Sequence, residues 1–164
     1  MIVLSAAYPA PTHKGAWVVK VQSVFPASSQ TVWQKLLQPA TLQFIASPLL
    51  KFTPQGRATL PNNWQEGTTI MLRLYAFGIL PLGKHSITIT HIDPQNQTLQ
   101  TTESSAMASV WQHRITLQTQ QPGQTLYTDE ILMYSGYLTR MMARWALWFY
   151  RHRQKRWLKL LPTT

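Results

Sequence analysis

Two histidines and two carboxylates are the residues of this sequence most able to do chemistry together. They are His85, Glu103, His113 and Asp129. Each alternates in step with apolar neighbours in a strand-like segment, so all four are expected on the face that packs against the core. A carboxylate removed from water needs a partner, and a histidine beside it can carry charge or hold a ligand hydroxyl group. Proton transfer, ligand positioning and a self-satisfied polar network all remain open as uses.

The turn QQPGQ predicts which residues of its two flanking strands meet. A proline followed by a glycine favours a three-residue hairpin loop, and such a loop sets Ile115 opposite Asp129. His113 then becomes a diagonal neighbour of Asp129 on the inward face. If this pair were catalytic, His113 and Asp129 would move protons on an enolisable substrate.

A similar register around the turn DPQNQ places Glu103 diagonal to His85. Another strand lies between those that carry His85 and His113, so the two histidines are not expected to converge on a metal ion. The sequence contains no cysteine, no HExxH motif, no glycine-rich phosphate loop and no GxSxG motif. We therefore expect neither a metal nor a cofactor.

The elements that would position these residues follow from the hydrophobic period along the chain. AWVVKVQSVF alternates as a strand, and PASSQTVWQKLLQ and PATLQFIA predict two short helices. After Gly136 a helical period returns for one long helix that ends near Leu161. Between them a period of two predicts six further strands: LLKFTP, TTIMLRLYAF, KHSITITHI, TLQTTES, VWQHRITLQT and TLYTDEILMY. The segment GILPLG is assigned to the turn after the second of these six.

The fold predicted from this order is α+β. Short hairpins make the sheet of about seven strands antiparallel, and its apolar face must be covered by the long helix. The economical arrangement is a curved sheet wrapped around the C-terminal helix, with two short helices after strand 1. A length of 164 residues favours one domain, over residues 16–164, after an irregular tail at residues 1–15. Space between sheet and helix is the first place to seek a ligand.

Three stretches of the sequence are similar to a known superfamily. FPASSQTVWQKLLQP resembles the opening of START-like proteins, a helix-grip superfamily also called SRPBCC that includes birch-pollen-allergen-like and polyketide cyclase-like proteins. LYAFGILPLGKHSI followed by SVWQHRITL resembles one bacterial branch, and so does TLYTDEILMY with a final helix ending FYRHRQKRWLKLL. The resemblance spans roughly residues 16–161. It implies an internal apolar cavity and says little about function, because the superfamily includes carriers and enzymes.

Apolar residues that share a face with the four polar ones are expected to line this cavity. In the long helix Leu138, Met141, Met142, Trp145 and Phe149 lie on one side at helical spacing. Phe44 and Trp64 are candidates for the cavity mouth. The predicted ligand-binding residues are Phe44, Trp64, Leu72, Leu74, His85, Ile87, Glu103, Trp111, His113, Asp129, Ile131, Met141 and Trp145.

The formal charge of +10 is concentrated at the C-terminal end. Seven of the fifteen Lys and Arg residues follow residue 137, with no acidic residue among them. Such a segment attracts phosphate groups, so we expect an anionic membrane surface as an alternative partner. Nucleic acid is unlikely as a partner, because no recognition motif is present. The proposed membrane contacts are Arg151, Arg153, Lys155, Arg156 and Lys159, with Trp148 and Trp157 off the apolar stripe and able to touch headgroups.

Three functions are consistent with the sequence. The first is non-catalytic binding of a small hydrophobic or amphipathic ligand, either lipid-like or resembling an aromatic polyketide. The second is a cyclase- or dehydratase-like enzyme using His113 and Asp129. The third is a peripheral membrane protein that acts through its basic C-terminal helix. No secretory signal and no apolar run long enough to span a bilayer stands out, which predicts a cytoplasmic protein that could lie at a membrane surface.

Overall fold

A seven-stranded antiparallel sheet folds around one long helix in this protein, as a computed structural model of residues 15–56, 59–106 and 108–161 shows. The predicted α+β class and the wrapped helix are confirmed. Along the sheet the strand order is β1-β7-β6-β5-β4-β3-β2. The elements are β1 (Trp17–Phe25), α1 (Ser29–Leu36), α2 (Pro39–Ala46), β2 (Leu50–Pro54), β3 (Thr69–Ala76), β4 (Leu80–Asp93), β5 (Thr98–Ser105), β6 (Val110–Gln121), β7 (Gln124–Tyr134) and α3 (Thr139–Trp157). The predicted tail lies outside the described residues except for Gly15.

The two short helices are bounded by the residues that the sequence offers for this purpose. The Ser28 hydroxyl accepts a hydrogen bond from the backbone N–H of Thr31 (3.2 Å) and caps α1. Pro39 occupies the first turn of α2, where its missing N–H would have no partner in any case. The two helices pack against each other and close one end of the sheet.

The turn between β3 and β4 is shorter than the sequence predicts. Strand β4 already begins at Leu80, which pairs with Ala76, so most of the predicted turn GILPLG belongs to the strand. Phe77 and Gly78 both adopt the left-handed conformation, with φ of 52° and 74°. Two successive left-handed residues reverse the chain tightly, and pairing can therefore resume at once. The turn leaves Phe77 and Ile79 exposed.

The strand registers that bring the polar residues together are as predicted, although the loop at Pro122 and Gly123 has two residues instead of three and an irregularity after Thr119 makes up the difference. Ile115 lies opposite Asp129, and Ile87 lies opposite Glu103. Strand β4 also contains an irregularity between Ile89 and His91. Because such a bulge adds one residue to one strand, it shifts the alternation beyond it and leaves the positions before it, including Ile87, in phase with the core.

Helix α3 lies on the concave face of the sheet against β1, β7 and α2. It ends at Trp157, four residues earlier than predicted, and a turn continues the chain. Trp157 is fully buried, with its ring 5.8 Å from that of Phe25 and 5.5 Å from that of Tyr127. The prediction that Trp157 touches headgroups is therefore wrong. The residue extends the buried apolar stripe two turns beyond Phe149. The basic residues around it make the helical spacing of apolar residues hard to recognise in the sequence.

We expect Trp157→Ala to lower the free energy of unfolding by about 3–5 kcal/mol, because it removes a fully buried aromatic ring. Trp148 lies on the same helix but is 54% exposed, so Trp148→Ala is the matched control and should change stability by less than about 0.5 kcal/mol. Urea unfolding of the three proteins, followed by circular dichroism, measures both changes. Equal effects of the two substitutions would contradict the assignment of Trp157 to the core.

Candidate ligand-binding site

The two predicted polar pairs are present on the concave face. His85 Nε2 lies 3.0 Å from Glu103 Oε2, and His113 Nε2 lies 2.7 Å from Asp129 Oδ1. Both pairs span neighbouring strands diagonally, as the registers require. The four residues nevertheless occupy two different environments.

Asp129 is part of a closed network that joins the sheet to α3. Its Oδ1 accepts from His113, and its Oδ2 accepts from Gln154 Nε2 at 2.8 Å. Gln154 also donates to the backbone oxygen of Val21 (3.0 Å) and accepts from Ser23 Oγ (2.7 Å). Asp129, His113 and Gln154 are all at most 4% exposed. The network thus links three strands to the helix in a place that water does not reach, and hydrogen bonding is what makes such burial tolerable.

Glu103 is less enclosed and lies beside a cavity. Burial, the largest single influence, raises the pKa of its carboxyl group. The hydrogen bond and charge of His85, followed by the charges of His113 and Arg153, outweigh that effect and hold the pKa below its ordinary value of 4.5. Glu103 is therefore anionic at neutral pH.

The cavity lies between the sheet, α2 and α3, and has two compartments of about 40 Å³ each. Four residues border both: Leu42, Ile87, Glu103 and Arg153. The first compartment is further lined by Leu50, Phe52, Leu74, His85, Ser105, Ala108, Trp111, Met142, Trp145, Phe149 and Tyr150. The second is further lined by Leu36, Thr41, Ile45, Trp64, Leu99, Thr101, His113 and Ile115. Apolar side chains dominate both walls.

Arg153 is the functional candidate that the sequence analysis misplaced. It was assigned to a membrane-facing surface, but it is only 5% exposed and reaches into the cavity, so that prediction is wrong. Its guanidinium carbon lies 4.7 Å from the ring centre of Tyr150. Its Nε has no hydrogen-bond partner, and no described carboxylate pairs with it within 4.0 Å. The spacing of four residues after Phe149 is the signal that could have placed it inside.

The groups around Arg153 keep it charged. Burial lowers the pKa of Arg153, but nearby Tyr150, Asp129, Tyr127 and Glu103 raise it by more, in that order, so the pKa lies above its ordinary value. Burial in turn raises the pKa of both tyrosines well above the usual range, and carboxylate charge adds to this effect. The tyrosines are therefore neutral at neutral pH, so the carboxylates of Asp129 and Glu103 are the charges that keep Arg153 cationic there.

Eight of the thirteen predicted ligand-binding residues line the cavity. They are Trp64, Leu74, His85, Ile87, Glu103, Trp111, His113 and Trp145. Sequence analysis did not include Tyr150, Phe52 or Arg153 among them.

The other five predicted ligand-binding residues lie elsewhere. Leu72, Asp129 and Ile131 are buried in the sheet layer, where none exceeds 1% exposure. Phe44 packs under the guanidinium of Arg156 at 4.3 Å, outside both compartments. Met141 is 57% exposed, so its predicted place on the inner stripe is wrong. It lies one residue before the buried Met142, and the helix turns it outward.

Met141 instead helps to form an apolar groove on the outside of the molecule. This outer groove has a volume of about 330 Å³. Its walls are Leu49, Leu50, Ala76, Phe77, Leu82, Met141, Met142, Trp145 and Trp148. Leu50, Met142 and Trp145 also line the first compartment. Among the residues that the structure describes, only these three line both, and they form the partition between groove and cavity.

The remaining basic residues of the helix end divide into two groups. Arg151, Lys155 and Lys159 are exposed. Arg156 is partly buried and donates to the backbone oxygen of Phe44 through Nη2 at 3.1 Å. Within residues 15–56, 59–106 and 108–161, no helix is long and apolar enough to cross a bilayer. In the same ranges, no three side chains of His, Asp or Glu are placed to hold a metal ion together.

Comparison with known proteins assigns the chain to a family. Residues 23–160 match the family described as a domain of unknown function, DUF8410. The chain belongs to the DUF8410 family. No curated protein matches this DUF8410 sequence.

Solved structures show that this DUF8410 chain has the START-like helix-grip fold, which confirms the resemblance seen in the sequence. A START superfamily protein from Mycobacterium smegmatis has a TM-score of 0.63 at 15% identity, covering 87% of this chain and 94% of its own. Protein Ms6760 from the same organism has a TM-score of 0.67 at 14% identity, and the match covers 90% of this chain and 91% of that protein. Truncated norcoclaurine synthase from Thalictrum flavum has a TM-score of 0.66 at 9% identity, and the match covers 91% of this chain and 96% of that protein.

The depressed pKa of Glu103 predicts a pH-dependent contribution to stability. A carboxyl group with a lower pKa in the folded state stabilises the fold above its unfolded pKa, and this contribution is lost as the pH falls through the folded pKa. We therefore expect Glu103→Gln to lose the most stability, relative to the unsubstituted protein, above about pH 5. The difference should shrink below the ordinary value of 4.5.

Urea unfolding at a series of pH values between about 3 and 7 measures this difference, since the linkage acts through that range. Thr102→Ser, at the exposed neighbouring position, carries no titrating group and should show the same small change at every pH. A difference between Glu103→Gln and the unsubstituted protein that grows toward low pH would contradict the assignment.

Proposed function

We propose that the protein binds a small hydrophobic or amphipathic ligand, lipid-like or aromatic, between the sheet and α3. The observation that carries this proposal is the shared wall between the inner cavity and the outer groove. Leu50, Met142 and Trp145 border both spaces, so a shift of three apolar side chains would join them. An apolar groove that leads to a few convergent polar groups is the usual form of a small-molecule site.

The volumes indicate how a ligand would fit. Each inner compartment, at about 40 Å³, holds little more than a few water molecules. The outer groove, at about 330 Å³, is of the size that a small ligand occupies. A ligand that uses both must displace Trp145 or Met142, and methionine adapts readily to such a change. Since START-like folds generally bind hydrophobic ligands, the fold supports the same proposal.

The polar network favours binding over catalysis by His113 and Asp129. Both carboxylate oxygens of Asp129 are occupied, by His113 and by Gln154, and Asp129 lines neither compartment. A general base must reach the proton that it removes. The geometry gives Asp129 a structural role and leaves His113 as a wall of the second compartment.

Replacement of Trp145 tests the route into the cavity. Trp145→Ala removes the largest side chain of the partition, so the neutral fluorophore N-phenyl-1-naphthylamine should bind about tenfold more tightly, a gain of about 1.4 kcal/mol. The matched control is Trp148→Ala, which trims the outer groove but leaves the partition intact. Fluorescence titration of the three proteins measures the dissociation constants.

The unsubstituted protein should bind the fluorophore measurably, with a blue-shifted emission from an apolar environment. Absence of binding in both the unsubstituted protein and Trp145→Ala would contradict the proposed function. Equal affinities of Trp145→Ala and Trp148→Ala would leave ligand binding in place and contradict the route past Trp145.

A second candidate function is docking to an anionic membrane surface, and an exposed apolar patch favours it. The rim patch comprises Phe77, Ile79, Leu80, Met141 and Trp148, each at least 54% exposed. Three of these residues also line the outer groove, so the patch surrounds the groove opening. Exposed apolar side chains that cluster in this way mark interaction surfaces.

Charge beside the rim patch indicates a lipid surface rather than a protein partner. On the exposed face of α3, Arg144 and Arg151 lie at helical spacing with Met141 and Trp148. The sequence has five acidic residues, and none belongs to α3 or to the turn between β3 and β4. Apolar and aromatic side chains that lie among arginines suit the boundary between acyl chains and anionic headgroups. A ligand could then pass between the bilayer and the groove.

Ile79→Glu should weaken binding to vesicles of phosphatidylcholine and phosphatidylserine by about tenfold or more, because it replaces an inserted apolar group with an anion. Val24→Glu is the matched control, since Val24 is 52% exposed on β1 at the opposite edge of the sheet. Cosedimentation at low and high salt measures binding, which should weaken as salt screens the arginines. Docking through the rim patch is disproved if both substitutions weaken binding equally.

A further inference from the structure

We propose that the first compartment is a carboxylate-binding subsite, in which Arg153 and Trp111 hold the head group of an amphipathic ligand whose tail extends toward the outer groove. This inference rests on the proposed ligand-binding function and names the chemical class of the ligand. It follows from buried polar atoms that have no hydrogen-bond partner among the described residues.

Three such atoms belong to residues that line this one compartment. They are Arg153 Nε, Trp111 Nε1 and His85 Nδ1. The Tyr150 hydroxyl group, whose pKa is raised mainly by burial, lies near enough to Trp111 for the indole to lower that pKa in part, but the geometry falls outside that of a hydrogen bond. An arginine and an indole nitrogen can only donate hydrogen bonds, so at least two of the three require an acceptor. A buried donor without an acceptor costs free energy, and a buried cation costs more. A ligand oxygen would remove both costs at once.

The nearby carboxylates do not supply that acceptor. Glu103 is paired with His85 at 3.0 Å, and Asp129 is held by His113 and by Gln154. Neither lies within 4.0 Å of a nitrogen of Arg153. The two acids lower the cost of burying the guanidinium through their charge, but they leave its donors unused.

The shape of the subsite favours a carboxylate. Arginine presents parallel N–H groups that match the two oxygens of a carboxylate, and the guanidinium is already fixed over the ring of Tyr150. The compartment of about 40 Å³ accommodates a group of only a few atoms. Phe149, Met142 and Trp145 form part of its apolar wall, which is suited to an alkyl or aromatic tail.

A comparison of two ligands that differ only in the head group tests the subsite. Decanoate and 1-decanol are titrated against the full chain with bound N-phenyl-1-naphthylamine. The unsubstituted protein should bind decanoate about tenfold or more tightly than decanol, since hydrogen bonds to a charged group are the stronger ones. Arg153→Met should abolish this preference, because decanoate loses more affinity than decanol. Arg73→Met, which makes the same change at an exposed position of β3, should retain the preference.

A second variant tests the subsite independently in case Arg153→Met does not fold. Trp111→Phe removes the Nε1–H donor and keeps an aromatic ring, and it should weaken decanoate binding several-fold and decanol binding by less. Equal affinity of the unsubstituted protein for the two ligands would overturn the subsite while the apolar cavity stands. Failure of the fluorophore and of both ligands to bind would overturn the proposed function and the subsite together.

Discussion

The buried contact between Asp129 and Gln154 is the interaction on which the rest of the site depends. Asp129 belongs to the sheet and Gln154 to α3, and the 2.8 Å hydrogen bond between them fixes the rotation of the helix about its axis. Loss of either partner would leave a buried polar group unsatisfied, which is costly in a region of low dielectric. The helix therefore has one preferred orientation on the sheet.

That orientation determines which side chains of α3 point into the cavity. Arg153 precedes Gln154 by one residue, so the constraint that points Gln154 at the sheet also directs Arg153 inward, beside Tyr150. Trp145 lies two turns earlier, at the partition between cavity and groove. Helix α3 thus contributes side chains both to the polar network and to the partition. Ligand access would then come from side-chain rotation at the partition, with the network intact.

Sequence analysis predicted the sheet and its polar pairs because alternation and turn chemistry are local signals. The inward placement of His113 and Asp129 follows from a period of two, and the proline–glycine turn together with the irregularity after Thr119 sets their register. The irregularity in β4 lies between the turn and Ile87, and it shifts the register by one residue so that Ile87 lies opposite Glu103, as predicted. Long hydrogen-bonded strands leave little freedom in such assignments.

The residues of α3 were harder to place, because its many basic residues obscure the helical spacing of the buried side chains. Arg153 and Trp157 continue the stripe of Phe149 at intervals of four, but the run RHRQKR reads as a solvated basic face. Whether an arginine lies inside depends on partners from other strands, which no local pattern encodes. Here two carboxylates, brought together only by the fold, make a buried guanidinium tolerable. The same fold that brings these carboxylates together also places Arg153 at the wall of the cavity.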